Sequence, residues 1–85
     1  DQYDLKLQIA GLSTGYDEIV VRGDPAQRKF AAFYLAGGQL IAVDAVNSAP
    51  EFLASKRIIA AGAKVAPERL SDMSVTMKEI AAQAA

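Results

Sequence analysis

Apolar and polar residues alternate near the start of the chain with the period of two that is typical of a half-buried β-strand. One side of residues 4–10 carries Leu5, Leu7 and Ile9, and the other carries Lys6, Gln8 and Ala10. We therefore predict a first strand over 4–10. Its leucine and isoleucine side chains are expected in the core, and Lys6 and Gln8 on the solvent side.

Three more strands follow from composition. The β-branched run Ile19-Val20-Val21 predicts a second strand over 18–22, which Gly23-Asp24-Pro25 should end. The segments 30–35 and 40–46 are rich in apolar and aromatic residues, and Gly37-Gly38 between them suits a tight hairpin. Segment 11–15, which lies between the first and second strands and has a glycine at each end, is predicted to be a loop.

Asp44 is the one acid in the otherwise apolar fourth strand. It has two interpretations: a residue at the sheet edge or a satisfied carboxylate near a turn, or a functional carboxylate. We favour the structural interpretation and keep the functional one as the alternative.

After Asn47 the pattern changes to that of helices. Ser48 and Glu51 have the spacing of a capping box, which predicts a helix to about Ala61 with Gly62 as a left-handed C-cap. One helix face should carry Phe52, Ser55, Ile58 and Ile59, flanked by Lys56 and Arg57.

Two shorter helices are predicted near the end of the chain. A single turn after Pro67 should hold Leu70, and Thr76 and Glu79 again have capping-box spacing, ahead of Ile80. Strands followed by helices indicate the α+β class. We expect one domain over 1–85, with an antiparallel sheet of four to five strands and the C-terminal helices packed on one face.

Composition limits the chemistry. The 85 residues contain no Cys and no His, so thiolate nucleophiles, thiolate metal sites and imidazole bases are excluded. Nine basic and ten acidic residues leave a net charge of -1, which argues against nucleic acid. No apolar run approaches the length needed to cross a membrane, and a cytoplasmic location is expected. We predict no catalytic residue, no metal ligand and no phosphate cradle here.

Short blocks along nearly the whole chain resemble one family. They are Asp1-Gln2-Tyr3-Asp4, residues 7–12, Gly15-Tyr16-Asp17, Val21-Arg22-Gly23, Phe33-Tyr34-Leu35, Ala45-Val46-Asn47, Glu51-Phe52, Ser55-Lys56 and Lys78-Glu79-Ile80. In this order they resemble the C-terminal domain of the FAD-dependent ferredoxin reductases, the family of the putidaredoxin, rhodocoxin and biphenyl dioxygenase ferredoxin reductases.

The resemblance implies a fragment of a longer flavoenzyme, an oxidoreductase in which FAD and NAD domains precede this one. Electrons would pass from NAD(P)H through FAD to a [2Fe-2S] ferredoxin that serves a P450 or a dioxygenase. The C-terminal domain would cover the flavin side, help to dock the ferredoxin, and bind no cofactor when isolated. A Trp-Ser pair normally precedes the position of Asp1 and Gln2, which places these two residues next to the flavin region. A monomeric and a homodimeric parent both stay open.

The same resemblance implies docking residues. Lys78 matches a lysine that meets acidic ferredoxin residues, and Lys56 matches a nearby basic position; Gln8 and Lys6 are weaker candidates. The alternative for both lysines is an ordinary solvated helix face. Thr76 stands where many relatives have proline, which affects how the last helix begins. The aromatic residues are interpreted as packing residues rather than flavin-stacking ones: Tyr3, Tyr16, Phe30, Phe33, Tyr34 and Phe52.

A second function class stays open as well. The chain could be a freestanding interaction or dimerisation module that uses the exposed edge of its sheet. A small hydrolase or isomerase ranks third, because Asp and Glu alone would carry every proton transfer.

Overall fold

The computed structural model describes residues 7–83. Four strands come first, with a short 3₁₀ turn between the second and the third, and three helices follow. The elements are β1 (Leu7–Gly11), β2 (Glu18–Asp24), the 3₁₀ turn (Pro25–Gln27), β3 (Lys29–Ala36), β4 (Gln39–Val46), α1 (Ala49–Ala61), α2 (Pro67–Ser71) and α3 (Met77–Gln83). The predictions made for Asp1, Gln2, Tyr3, Leu5 and Lys6 lie outside the described residues.

The four strands form one antiparallel sheet in the order β1-β4-β3-β2. The predicted hairpin between β3 and β4 is confirmed, because Gly37 and Gly38 both take positive φ angles of 58° and 86°. β4 lies between β1 and β3, so Asp44 is in an interior strand. The prediction of an edge position for Asp44 is wrong.

The second strand is longer than predicted. It continues through Gly23 and Asp24 and ends only at Pro25. Gly23 has a φ of 101°, and a Cβ at this position would stand 2.6 Å from the carbonyl oxygen of Lys29 on β3. Glycine therefore keeps the two strands paired at a close approach where another residue would separate them.

All three helices pack on one face of the sheet, which confirms the predicted α+β architecture. The core between the two layers is built from alternate residues of β3 and β4 and from the inner sides of the helices. Its largest fully buried apolar side chains are Phe33, Leu35, Leu40, Val43, Ile58, Leu70 and Ile80. Burial of these side chains is the main source of stability.

The side of the first strand that faces the helices is the opposite of the predicted one. Gln8 pairs with Ala45 and Ala10 with Val43, and both partners point toward the helices. Leu7 and Ile9 lie on the other face and are 60% and 61% exposed. The prediction that they are buried is wrong, because both sides of β1 contain apolar residues and the pairing with β4 decides which side is covered.

The helices begin and end close to the predicted positions. Gly62 ends α1 in the left-handed conformation, with a φ of 65°. The Thr76 cap of α3 is confirmed, since the Glu79 amide donates to the Thr76 hydroxyl at 3.1 Å. The predicted capping box at the start of α1 is absent. The Ser48 hydroxyl instead donates to the Val46 carbonyl oxygen at 3.1 Å, and the Glu51 side chain points toward Arg22.

Candidate partner-docking site

A groove runs between α1 and α3 on the helical side of the molecule. Its apolar lining includes Ala54 and Ile58 from α1 and Met77 and Ala81 from α3. Ile58 and Met77 are buried side chains of the core, so the position of both helices is tied to the sheet beneath them. We call this feature the α1–α3 groove.

Basic side chains stand on both sides of the α1–α3 groove. Lys56 and Arg57 come from α1 and Lys78 from α3, and all three are exposed. The Lys56 ammonium lies 5.5 Å from the centre of the Phe52 ring, a cation–π distance that favours one orientation of this lysine. The groove is therefore cationic in a chain that is almost neutral as a whole.

An exposed leucine lies among these cations. Leu53 is 59% exposed and also lines the groove. It precedes Lys56 by three residues and Arg57 by four, so the three side chains share one face of α1. An apolar anchor surrounded by positive charge is suited to an acidic protein surface, because the charges guide encounter and the apolar contact is buried on binding.

The structure thus brings together the two predicted docking residues, Lys56 and Lys78. Sequence reasoning noted Arg57 only as a flanking residue and missed Leu53. The signal for both was available, because Leu53 lies three residues before Lys56 and four before Arg57, and these spacings put Leu53 beside each of the two cations. The prediction that Gln8 lies on the solvent side is wrong. Its side chain faces the helices, and its buried Oε1 has no hydrogen-bond partner in the described part of the chain.

Arg22 lies at the base of the groove and was not predicted as a site residue. It is only 4% exposed, and its position on β2 points toward the helices because its cross-strand partner is the buried Ala31. Its Nη1 donates to the carbonyl oxygens of Leu70 at 3.2 Å and Asp72 at 2.8 Å, and Nη2 donates to that of Val75. The two terminal nitrogens of this buried guanidinium are therefore well supplied with acceptors.

The Nε of Arg22 has a different environment. It lies 3.6 Å from Glu51 Oε2, which is close enough for an ion pair and too far for a hydrogen bond. Glu51 belongs to the first turn of α1 and lines the groove. Arg22 therefore contacts both sides of the groove. It donates hydrogen bonds to the segment that precedes α3, and it forms an ion pair with Glu51 of α1.

A second polar feature lies on the sheet face opposite the helices. The Tyr34 hydroxyl donates to Asp44 Oδ2 at 2.8 Å, and the Tyr16 ring packs edge-on against Tyr34 with the ring centres 5.2 Å apart. The hydrogen bond to Asp44, followed by burial, raises the pKa of Tyr34. The Asp44 carboxylate is thus engaged by a structural partner, which agrees with the favoured interpretation.

The described residues offer little to a cofactor or metal. Between residues 7 and 83, no group of three acidic side chains is arranged to hold a metal ion. The one strand-to-helix connection in this range, from β4 to α1, passes through Asn47 and Ser48 and has no glycine-rich turn. These residues do not fit the pyrophosphate of FAD or NAD(P)H.

Among the described helices, none has the length and hydrophobicity of a membrane span.

The described residues thus form a small α+β domain with a cationic groove between α1 and α3. The chain belongs to the family described as Reductase C-terminal, which it matches over residues 1–81.

Similar proteins include several ferredoxin reductases. Putidaredoxin reductase CamA of Pseudomonas putida is 51% identical over 84 residues, which are 99% of this chain and 20% of that protein. The ferredoxin–NAD(+) reductase component of the anthranilate 1,2-dioxygenase system of Burkholderia cepacia is 46% identical over 92% of this chain and 20% of its own length. The chain therefore spans about a fifth of the curated relatives that it matches.

Solved structures agree in fold. The covalent putidaredoxin reductase–putidaredoxin complex superposes with a TM-score of 0.91 at 51% identity, over 99% of this chain and 20% of the reductase. A ferredoxin reductase from Rhodopseudomonas palustris gives 0.85 at 40% identity, over 92% of this chain and 19% of that one. The recognition of a reductase C-terminal domain is confirmed.

Proposed function

We propose that this chain is the C-terminal domain of an FAD-dependent NAD(P)H:ferredoxin reductase, and that its α1–α3 groove docks an acidic [2Fe-2S] ferredoxin. One observation carries the docking proposal. Lys56 and Lys78, far apart in sequence, line the same groove together with Arg57 and the exposed Leu53. A basic rim around an apolar anchor favours an acidic partner that must bind and leave quickly.

The remaining parts of the enzyme would supply the redox chemistry. FAD and NAD(P)H, bound by domains outside this chain, would provide hydride acceptance and single-electron transfer, and we place the whole enzyme in the cytoplasm. The residues of this chain would bind and orient the ferredoxin and contribute no catalytic group.

We further propose that the sheet face opposite the helices packs on the rest of the reductase, covering its flavin side. Leu7, Ile9, Ile19 and Val21 are all exposed on this face. An apolar surface of this kind is typical of a permanent contact, whereas the cationic groove suits a transient one. The relatives are about five times as long as this chain, so such a permanent partner is expected within the same polypeptide.

The same open face supports a second candidate, a dimerisation module. Two copies could cover each other's apolar residues without any reductase domain. Sedimentation of the complete protein that contains this chain distinguishes the two. A monomer favours intramolecular packing, and a dimer that Val21→Asp dissociates favours the module.

Lys78→Glu in the complete reductase tests the docking proposal. We expect the KM for ferredoxin to rise roughly tenfold, because a repulsive charge replaces an attractive one at the groove rim. Ferricyanide reduction, which needs no ferredoxin, should keep its rate. The difference from the unmodified enzyme should shrink as salt is added, since exposed charges are screened.

Lys64→Glu is the matched control. Lys64 is exposed and carries the same charge, and it is not among the residues that line the groove. It should leave the KM for ferredoxin nearly unchanged. Equal effects of the two substitutions would mean that net charge, and not the groove, determines affinity.

A further inference from the structure

We infer that Arg22 is a positioning residue for ferredoxin docking: it sets the placement of α3, and with it Lys78, relative to α1. This inference rests on the docking role proposed above. Arg22 is buried and cannot itself meet a partner, so it would act only through the residues that it holds.

The segment that leads into α3 depends on Arg22. Between α2 and α3 the chain has no regular structure, and its local support is a turn in which Ser74 donates to the Asp72 carboxylate. The Arg22 guanidinium crosses from the sheet and donates to four carbonyl oxygens, those of Arg69, Leu70, Asp72 and Val75. These carbonyls include orphan acceptors at the end of α2, where a cation is favourable.

Helix α3 is too short to hold its own position. It has seven residues, and a helix of this length is unstable without tertiary contacts. Its contacts are the burial of Met77 and Ile80, the Thr76 cap, and the anchored segment just before it. Val75, the last carbonyl that Arg22 holds, precedes Lys78 by three residues, so a shift of this segment would move the lysine directly.

The other side of the groove is linked to the same guanidinium. Glu51 in the first turn of α1 pairs with Arg22 Nε, and Lys56 and Arg57 follow later on that helix. One side chain thus connects α1 with the segment that leads into α3. A planar guanidinium with five N–H donors can make both contacts at once, whereas a lysine ammonium in the same place cannot.

The test is Arg22→Lys in the complete reductase. We expect the KM for ferredoxin to rise about fivefold to tenfold, with kcat at saturating ferredoxin within about twofold of the parent. Hydrogen exchange should become faster at the amides of residues 72–80 and not in β3 and β4. A lower melting temperature with an unchanged KM, measured well below melting, would overturn the inference, because that is what a merely structural arginine produces.

Coupling to Lys78 provides the sharper comparison. If Arg22 acts through Lys78, adding Arg22→Lys to Lys78→Ala should raise KM no further than Lys78→Ala alone. Additive effects would refute the positioning role. If Lys78→Ala raises KM and Arg22→Lys does not, positioning fails while docking stands. If neither Lys78→Ala nor Lys56→Ala changes KM, the docking proposal itself fails.

A milder variant covers the case in which Arg22→Lys does not fold. Glu51→Ala removes the contact with α1 and leaves the hydrogen bonds of Arg22 to the carbonyls in place. Positioning predicts a KM raised about twofold to threefold, although loss of an acid alone would strengthen binding to an acidic partner. Glu68→Ala, an exposed acid on α2 outside the groove, is the control. A KM for Glu51→Ala at or below that of Glu68→Ala would overturn the inference.

Discussion

The two faces of the sheet contain similar residue types and have opposite environments. On the face covered by the helices, Phe33 and Val43 are completely buried. On the other face, Ile9 and Val21 remain 61% and 45% exposed in the described part of the chain. The difference shows that an apolar side chain on this sheet does not by itself mark the core. Its energetic role depends on whether a helix, or another part of the protein, covers it.

The largest test of this comparison uses two phenylalanines of β3. Phe33 is buried under the helices, and Phe30 lies on the opposite face and is partly exposed. Phe33→Ala should lower the free energy of unfolding by about 3–5 kcal/mol, because it leaves a cavity in the core. Phe30→Ala removes the same atoms and should cost about 1–2 kcal/mol.

Urea denaturation of both variants measures the difference. The two faces would be energetically alike if Phe30→Ala cost as much as Phe33→Ala. That result would show that the open face is already packed against something within this chain.

The elements of the fold were predictable because their signals are local. The Gly37-Gly38 hairpin, the end of α1 at Gly62 and the Thr76 cap each depend on residues within a few positions of one another. The pattern of β1 also predicted a strand, but not which side is covered. That side is decided by pairing with β4, whose residues come more than thirty positions later.

The same limit applies to the candidate site. Lys56 and Lys78 were predicted from a resemblance, and their meeting in one groove follows from helix packing that no local pattern contains. Arg22 was missed because an arginine at the end of a strand usually faces solvent. It shares the side of Val20 on β2, but its acceptors are carbonyls of residues 69–75, which only the tertiary structure brings near.

A smaller effect is expected from the polar pair on the open face. Tyr34→Phe removes the hydrogen bond to Asp44 and should cost about 1 kcal/mol, since the freed carboxylate can still be reached by water. The pH dependence has a definite sign. The pKa of Tyr34 is raised in the folded state, so its stabilisation is complete below the unfolded-state pKa and is lost as pH rises through the folded-state pKa.

Thermal melts between pH 8 and pH 11 (roughly the range around the ordinary tyrosine pKa) measure this dependence. The unmodified chain should lose stability at the alkaline end more steeply than the Tyr34→Phe variant. Parallel curves would mean that the Tyr34–Asp44 contact does not persist in solution.

The last comparison makes one isosteric substitution on both faces, and its effect on the open face is the smallest expected. Val43→Thr puts a hydroxyl into the core and should cost about 2 kcal/mol. Val21→Thr, on the open face, should change the stability of the 85-residue chain by less than about 0.5 kcal/mol. In the complete reductase, however, Val21→Thr should lower the melting temperature, because there the hydroxyl would be buried against the covering domain. If Val21→Thr is silent in both contexts, this face is not covered by the rest of the enzyme, and its apolar residues need another explanation.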